Sequence, residues 1–278
     1  MPRSVLVNLG DGLAARIAPG DGERVLWIHG YTLDSGCWEP LWQLLPNCHH
    51  LGVDLPGHGA SLPFRAGEGL PALARRIGER ALAHGVRHLV AHSIGTLVAL
   101  QIAIEFPGAF ATVVLGAPTF GGGPEDPQVF LLYDALQELY RAQGFGPELR
   151  DRWMRSPPYL FRGAEAQPEL WQRLWAIVGR HPWWELGDGS LVQLCRHSQL
   201  PVQIRQIEAA LLLLVGEHEL ESFKRAAELI RRSAVNCRRV YLPEVGHLCM
   251  LSDPNSAYPI IERHFQSYAE KSRAITQG

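Results

Sequence analysis

Three residues that together could carry out nucleophilic catalysis are Ser93, His247 and Glu219 of this 278-residue sequence. A serine hydroxyl is a weak nucleophile at neutral pH and needs a base within hydrogen-bonding reach. Histidine is suited to that role because its pKa lies near neutrality. A carboxylate can hold the imidazole in the correct tautomer and stabilise its cation. The three residues lie far apart along the chain, so only the fold can bring them together.

Ser93 lies at the junction of an apolar run, residues 88–91, and a run with helical spacing, residues 94–106. A tight turn between a strand and a helix needs small residues two positions before and two positions after the serine, and here these are Ala91 and Gly95. The pattern GxSxG is therefore met as AxSxG, which adds one methyl group. It predicts a serine exposed on a strand-to-helix turn.

The elements that must position these residues alternate along the chain. Strands are predicted over residues 4–9, 13–18, 25–28, 51–54, 88–91, 112–115, 209–215 and 239–242. The first two are separated by Gly10, Asp11 and Gly12 and are predicted to form a hairpin. Helical segments separate most of the later strands, which is typical of parallel sheets with right-handed crossovers. We therefore predict an α/β fold with a mostly parallel, twisted sheet of about eight strands flanked by helices.

The alternation is interrupted after the sixth strand. Residues 119–207 contain no strand-like run, and four helical segments there are separated by glycine and proline clusters. We predict that residues 119–207 form a helical cap, and that residues 1–118 and 208–278 form the core domain. The cap segment contains five of the eight tryptophans, which we expect mainly to form its own small core: Trp153, Trp171, Trp175, Trp183 and Trp184.

Ser93, Glu219 and His247 each lie just past the end of a predicted strand. The carboxyl ends of parallel strands meet at one edge of a sheet, where ligands bind, so the three side chains can converge. Residue type alone does not single out one carboxylate. Glu217 is the main alternative to Glu219, and Asp126, after the sixth strand, is a more distant one.

The ordered set of motifs resembles the α/β-hydrolase family. The matching stretches are residues 29–31 (His-Gly-Tyr), the loop 54–61 (Asp-Leu-Pro-Gly-His-Gly-Ala-Ser), the turn 91–95, residues 216–219 and residues 246–247. The resemblance implies that the backbone amides of Tyr31 and Ile94 form an oxyanion hole, and that residues 119–207 are the family's cap. Serine at position 93 argues against the dehalogenases and epoxide hydrolases of the family, whose nucleophile is aspartate.

The resemblance implies a serine hydrolase that cleaves a carboxylic ester or thioester of an apolar, medium-sized acyl substrate through an acyl-enzyme. A non-hydrolytic enzyme of the same fold, such as an acyltransferase, cyclase or lyase, is an alternative, because these outcomes depend on the shape of the site. A ligand-binding protein on the same scaffold is a third reading.

Composition narrows the choice of partners. The chain is 46% hydrophobic and 19% charged, with a formal net charge of −2, which favours neither disorder nor nucleic-acid binding. No apolar run approaches the roughly 20 residues of a membrane span, and residues 1–8 lack the pattern of a signal peptide. Residues 121–207 contain nine arginines and ten acidic residues, so the sequence gives no support for docking of an acidic carrier protein.

No cofactor or metal is expected. The five cysteines are scattered and never spaced as CxxC, and neither HExxH nor GxGxxG occurs. Unpaired cysteines fit a reducing compartment, so we predict a cytoplasmic location. His49 and His50 precede the fourth predicted strand and are expected to face solvent.

Overall fold

Eight strands form one sheet in the computed structural model, which describes residues 4–276, with side chains described through residue 268. The strands are β1 (Val5–Gly10), β2 (Leu13–Ala18), β3 (Arg24–Ile28), β4 (His49–Val53), β5 (His88–His92), β6 (Thr112–Gly116), β7 (Ala210–Gly216) and β8 (Cys237–Leu242). Each of the eight predicted strands is present, and its ends lie within two residues of the predicted ones.

The strand order in the sheet is β1-β2-β4-β3-β5-β6-β7-β8. The strands β1 and β2 form an antiparallel hairpin, and β2 pairs antiparallel with β4. All pairings from β4 through β8 are parallel. The predicted α/β fold with a mostly parallel sheet is therefore confirmed.

Alternate residues of the central strands enter two separate hydrophobic clusters, one on each face of the sheet. The aligned row Trp27, Val90, Val114 and Leu212 packs on one face. The next row along the same strands is Ile28, Ala91, Leu115 and Leu213, and it packs on the other face. Because both faces are covered, the middle of each of these strands is apolar at consecutive positions rather than at every second one.

Twelve α-helices accompany the sheet within the described residues. They are α1 (Glu39–Leu44), α2 (Leu70–Ala83), α3 (Ile94–Glu105), α4 (Pro127–Gln143), α5 (Pro147–Arg155), α6 (Pro168–Gly179), α7 (Glu185–Asp188), α8 (Ser190–Cys195), α9 (Pro201–Arg205), α10 (Glu221–Ser233), α11 (Cys249–Ser252) and α12 (Pro254–Thr276). Buried side chains of α2, α3 and α10 cover one face of the sheet, and those of α1 and α12 cover the other. None of the described helices has the length and apolar character needed to cross a bilayer.

The helices α4 to α9 lie between β6 and β7, and we call residues 119–207 the insertion. Apolar side chains of the insertion belong to the same hydrophobic cluster as Trp27 of β3 and Trp38, which directly precedes α1. They include Leu136, Trp153 and Leu174. The insertion therefore shares a core with the sheet rather than packing only on itself.

The expectation that His49 and His50 face solvent is wrong for His50. Both residues lie in β4, and only 3% of His50 is exposed. Its ring stacks on Trp42 with 5.2 Å between centroids, and its Nε2 lies 3.0 Å from the carbonyl oxygen of Leu45. The two adjacent histidines concealed only the start of β4, because polar residues do not resemble an apolar run.

Candidate active site

Ser93 occupies the single residue between β5 and α3, and its backbone is left-handed, with φ 52° and ψ −125°. Such a conformation costs a residue with a side chain about 1–3 kcal/mol and persists only when its surroundings impose it. Here the Ser93 amide donates to the carbonyl of Gly116 at 2.9 Å. The Ser93 carbonyl accepts from the Thr96 amide at 2.8 Å and from the Thr96 hydroxyl at 2.6 Å.

Two glycines allow β3 to approach this turn closely. A Cβ atom at Gly95 would lie 2.5 Å from the carbonyl oxygen of His29, which is backbone and cannot move aside. A Cβ at Gly30 would lie 3.2 Å from the Cβ of Ser93. The predicted need for a small residue after the serine thus has a specific cause, the carbonyl groups at the end of β3.

His247 follows β8 and reaches the serine. Its Nε2 lies 2.9 Å from Ser93 Oγ, and 8% of the residue is exposed. Glycine again permits the approach of two loops, because a Cβ at Gly216 would lie 2.3 Å from the carbonyl oxygen of Gly246. The ring of Phe223 lies 4.5 Å from the imidazole, centroid to centroid, and limits the positions that the imidazole can take.

Of the three candidate carboxylates, the structure brings Glu219 to the imidazole. Both of its carboxylate oxygens lie 3.1 Å from His247 Nδ1, and the Glu219 side chain is fully buried. Glu219 Oε1 also accepts from the Leu220 amide at 2.8 Å. Glu217 instead lies at the surface, where its Oε2 accepts from the backbone amide of Glu244 at 3.1 Å.

Asp126 begins α4 rather than contacting the imidazole. Its Oδ1 accepts from the amides of Gln128 at 3.0 Å and Val129 at 3.3 Å, which satisfies two free donors at the helix start. Its Oδ2 accepts from the hydroxyl of Ser222 in α10 at 3.0 Å. Asp126 therefore ties the beginning of the insertion to the core.

Tyr31 and Ile94 are the residues whose backbone amides were predicted to form an oxyanion hole. Both residues line the same cavity as Ser93, and Ile94 is the first residue of α3. In the part of the chain that the structure describes, neither amide donates to a loop or side-chain acceptor. Free amides at a helix N-terminus favour negative charge placed before them.

The serine opens into a cavity of about 600 Å³ between the sheet edge and the insertion. Its walls are mainly apolar side chains of the insertion and the core: Leu97, Phe120, Val129, Trp153, Leu160, Phe161 and Leu191. Exposed residues Glu125, Phe130 and Arg196 also border it and define its open side. The volume lies within the range of small-molecule sites.

Of the five tryptophans in the insertion, only Trp153 lines this cavity. Trp183 is buried against His181, with 4.8 Å between ring centroids. Trp171 and Trp175 pair with each other at 5.5 Å, and the guanidinium of Arg150 lies 3.8 Å from the Trp175 ring centroid. Trp171, Trp175 and Trp183 thus act in packing, as expected for most of the five, whereas Trp184 is 45% exposed.

A second histidine lies beside the catalytic candidate. Burial lowers the pKa of His92 well below its ordinary value, and the neighbouring His247 lowers it further. Their rings are 5.2 Å apart. His92 therefore stays neutral at neutral pH and adds no positive charge next to the imidazole of His247.

A buried polar cluster behind the cavity was not predicted. The phenol of Tyr31 donates to Glu185 Oε1 at 2.6 Å, and His181 Nε2 lies 3.1 Å from the same oxygen. The ring of His58 lies against that of His181, with centroids 4.5 Å apart and the ring planes tilted by 37°. A glutamate and a histidine four residues apart were visible in the sequence, but nothing there indicates which core residue they meet.

One group of described residues has ligand atoms close enough together to hold a metal ion. It comprises Glu217, His218 and Glu244, whose candidate ligand atoms lie within 4.8 Å of one another. All three are exposed, and none borders the cavity at Ser93. Exposed acidic groups often cluster without a metal, so no role is assigned to this group.

An open, mostly parallel sheet with a serine on a strand-to-helix turn and a histidine after the last strand defines the α/β-hydrolase architecture. Residues 25–258 match the model of the alpha/beta hydrolase family. The chain belongs to that family.

Individual relatives agree with this assignment. The chain is 26% identical over 246 residues to the pimeloyl-[acyl-carrier protein] methyl ester esterase of Nitrosomonas europaea, covering 84% of this chain and 92% of that protein. It is 28% identical over 204 residues to the enzyme of that name from Methylococcus capsulatus, covering 72% and 78%. An esterase structure from Exiguobacterium antarcticum superposes with a TM-score of 0.78 at 19% identity, covering 96% of this chain and all of that one. At that identity the superposition shows a shared fold only.

Proposed function

We propose that the protein is a serine hydrolase that cleaves carboxylic esters or thioesters of medium-sized apolar acyl groups. The observation that carries the proposal is the continuous row of contacts from Ser93 Oγ to His247 Nε2 and from His247 Nδ1 to Glu219. The two curated relatives described above are named as ester hydrolases, which supports the same reaction class.

In the proposed reaction Ser93 Oγ attacks the substrate carbonyl carbon while its proton passes to His247 Nε2. The bond from that carbon to the leaving oxygen or sulfur then breaks as His247 returns the proton to the leaving group. A water molecule next gives a proton to His247 Nε2 and attacks the carbonyl carbon of the acyl-serine ester. The bond from that carbon to Ser93 Oγ breaks as His247 returns the proton to Oγ, which releases the acid and restores Ser93. Glu219 keeps Nδ1 protonated throughout, so that Nε2 is free to accept.

The negative charge that develops on the carbonyl oxygen would be held by the amides of Tyr31 and Ile94. Each such donor is typically worth on the order of 3 kcal/mol in barrier height. Ile94 adds the favourable dipole of the α3 N-terminus. The insertion would act as a cap that closes the apolar cavity over the reacting ester and excludes bulk water.

The cavity argues for the substrate class. Aromatic and aliphatic side chains of the insertion, Trp153, Leu160 and Phe161, offer an apolar wall to an acyl chain. A two-carbon acyl group would leave most of the 600 Å³ unfilled. We therefore expect acyl chains of intermediate length to gain binding free energy that acetyl esters lack.

The proposal is tested with a fluorophosphonate probe and a panel of p-nitrophenyl esters from acetate to dodecanoate. Wild-type protein is expected to be labelled and to release the free acid fastest from intermediate chains. Ser93→Ala should abolish both labelling and turnover, whereas the control Ser233→Ala, on the outer end of α10, should retain both. Labelling that persists in Ser93→Ala, fastest turnover of acetate, or an acyl product other than the free acid would contradict the proposal.

A further inference from the structure

The loop that follows β3 is bonded to the insertion at three points. The loop carries Tyr31, whose amide is the oxyanion donor in the proposed function, and it lies outside regular secondary structure. The three contacts join Trp153 Nε1 to Thr32 Oγ1 at 2.8 Å, Arg180 Nε to Asp34 Oδ2 at 2.8 Å, and Tyr31 OH to Glu185 Oε1 at 2.6 Å. Residues of the insertion thus hold a loop of the core.

The backbone of this loop needs such support. Thr32 is left-handed, with φ 62°, a conformation that side chains disfavour. Its hydroxyl donates to the Tyr31 carbonyl at 2.7 Å. The peptide unit before Tyr31 lies outside any strand or helix, and its Gly30 carbonyl oxygen accepts from the Leu33 amide at 3.2 Å and lies 2.8 Å from His29 Nδ1. The anchored side chain of Tyr31 is a further contact that sets the direction of the Tyr31 amide.

That anchor is Glu185, of which 2% is exposed. Removing a carboxylate from water costs several kcal/mol, which is about as much as its contacts in the interior contribute. A buried carboxylate is therefore not explained by a gain in stability. Only one of its oxygens has protein partners among the described residues, namely the phenol of Tyr31 and His181 Nε2. Burial and the adjacent Glu185 raise the pKa of Tyr31 well above its ordinary value, so the phenol remains a donor.

We propose that Glu185 is a positioning residue: by fixing the Tyr31 phenol from the insertion, it aims the Tyr31 amide at the carbonyl oxygen of the bound ester. This inference rests on the proposed hydrolase function. It makes the docked insertion part of the oxyanion hole, since the hole is complete only when α7 holds the loop. Loss of the contact should therefore slow the chemical step more than it weakens substrate binding.

The test is a double-mutant cycle of Tyr31→Phe and Glu185→Ala, measured on the best ester of the panel. Each single variant is expected to lower kcat about 10- to 100-fold, with KM changed less than about threefold. The kcat of the double variant should be no lower than that of the less active single variant. Glu185→Gln keeps an acceptor for the phenol and should stay within about threefold of wild type. Tyr140→Phe, a tyrosine of α4 outside the cavity lining, is the matched control and should be unchanged.

Two measurements separate positioning from damage to the fold. Titration with a fluorophosphonate counts competent sites, so that kcat is expressed per folded enzyme. Inhibition by an alkyl trifluoromethyl ketone, whose adduct places an oxyanion in the hole, should weaken in parallel with kcat/KM in Tyr31→Phe and Glu185→Ala.

Unchanged kcat per titrated site, or additive losses in the double variant, would overturn the assignment of Glu185 while leaving the hydrolase function intact. Wild-type protein without Ser93-dependent ester turnover would overturn both. A lowered melting temperature with unchanged ketone inhibition would assign Glu185 to stability alone.

Discussion

Glu219 and Glu217 lie two residues apart after β7, yet they face different surroundings. Glu219 turns inward because its amide donates to the Gly216 carbonyl at 3.1 Å, and its side chain then meets His247 in the interior. Glu217 remains at the surface. Residue type could not distinguish them, since both are glutamates within one turn. The direction of the turn, which depends on the close contact of Gly216 with the loop that carries His247, makes the difference.

The two carboxylates therefore have different expected mutational effects. Glu219→Gln should lower kcat by roughly 10²- to 10⁴-fold, because an amide cannot hold the imidazole with its proton on Nδ1. Glu217→Gln, an equal change at an exposed site, should stay within about twofold. Steady-state kinetics on one ester, corrected for active-site concentration, measures both. A large loss of kcat in Glu217→Gln with little loss in Glu219→Gln would show that Glu217, and not Glu219, supports the imidazole.

The turn between β5 and α3 shows how elements, rather than single residues, set the geometry. Ser93 can be held left-handed because β6 accepts its amide and α3 starts immediately after it. The end of β3 lies so close that Gly95 has no space for a methyl group. This part of the site was predictable from sequence, because a small residue beside a serine between a strand and a helix is a local signal.

The same packing predicts a large effect of one methyl group. Gly95→Ala should lower the free energy of unfolding by about 3 kcal/mol or prevent folding, since its Cβ would press on backbone carbonyls of β3. Gly69→Ala at the start of α2 is the control. Its Cβ would meet nothing closer than 3.8 Å, so a loss under about 1 kcal/mol is expected. Urea unfolding of both variants measures this, and equal losses would refute the steric argument.

At the scale of the whole molecule, local patterns predicted the elements but not how they dock. The eight strands, the helices of the insertion and the positions of Ser93 and His247 follow from periodicity and turn residues. The contacts of Glu185 with Tyr31 and of Trp153 with Thr32 join residues more than 100 positions apart. No local signal encodes such pairs, because they form only when the insertion packs on the sheet.

Histidine burial is a second global property that the sequence concealed. His29, His50, His58, His88 and His92 are all buried, and burial is the largest cause that lowers the pKa of each. For His50 the pKa falls to about 4. The folded protein thus keeps these rings neutral at pH values where the unfolded chain protonates them.

The sign of the pH dependence follows. Below a pH of about 6.5, the pKa of histidine in the unfolded chain, the unfolded state binds protons that the buried rings of the folded state do not bind. The free energy of unfolding therefore falls as the pH drops from about 6.5. His50 alone should account for about 2 kcal/mol of that loss by pH 4.5. The pKa of Glu228 is lowered to about 2 by its arginine neighbours, so the stability that this carboxylate contributes is lost mainly below about pH 4.5. The test is urea unfolding of wild type and His50→Gln at pH 7.5, 6.5, 5.5 and 4.5. The free energy of unfolding of wild type relative to that of His50→Gln should fall by about 2 kcal/mol from the highest to the lowest pH. Parallel curves for the two proteins would mean that His50 titrates alike in the folded and unfolded chains, contrary to its burial against Trp42.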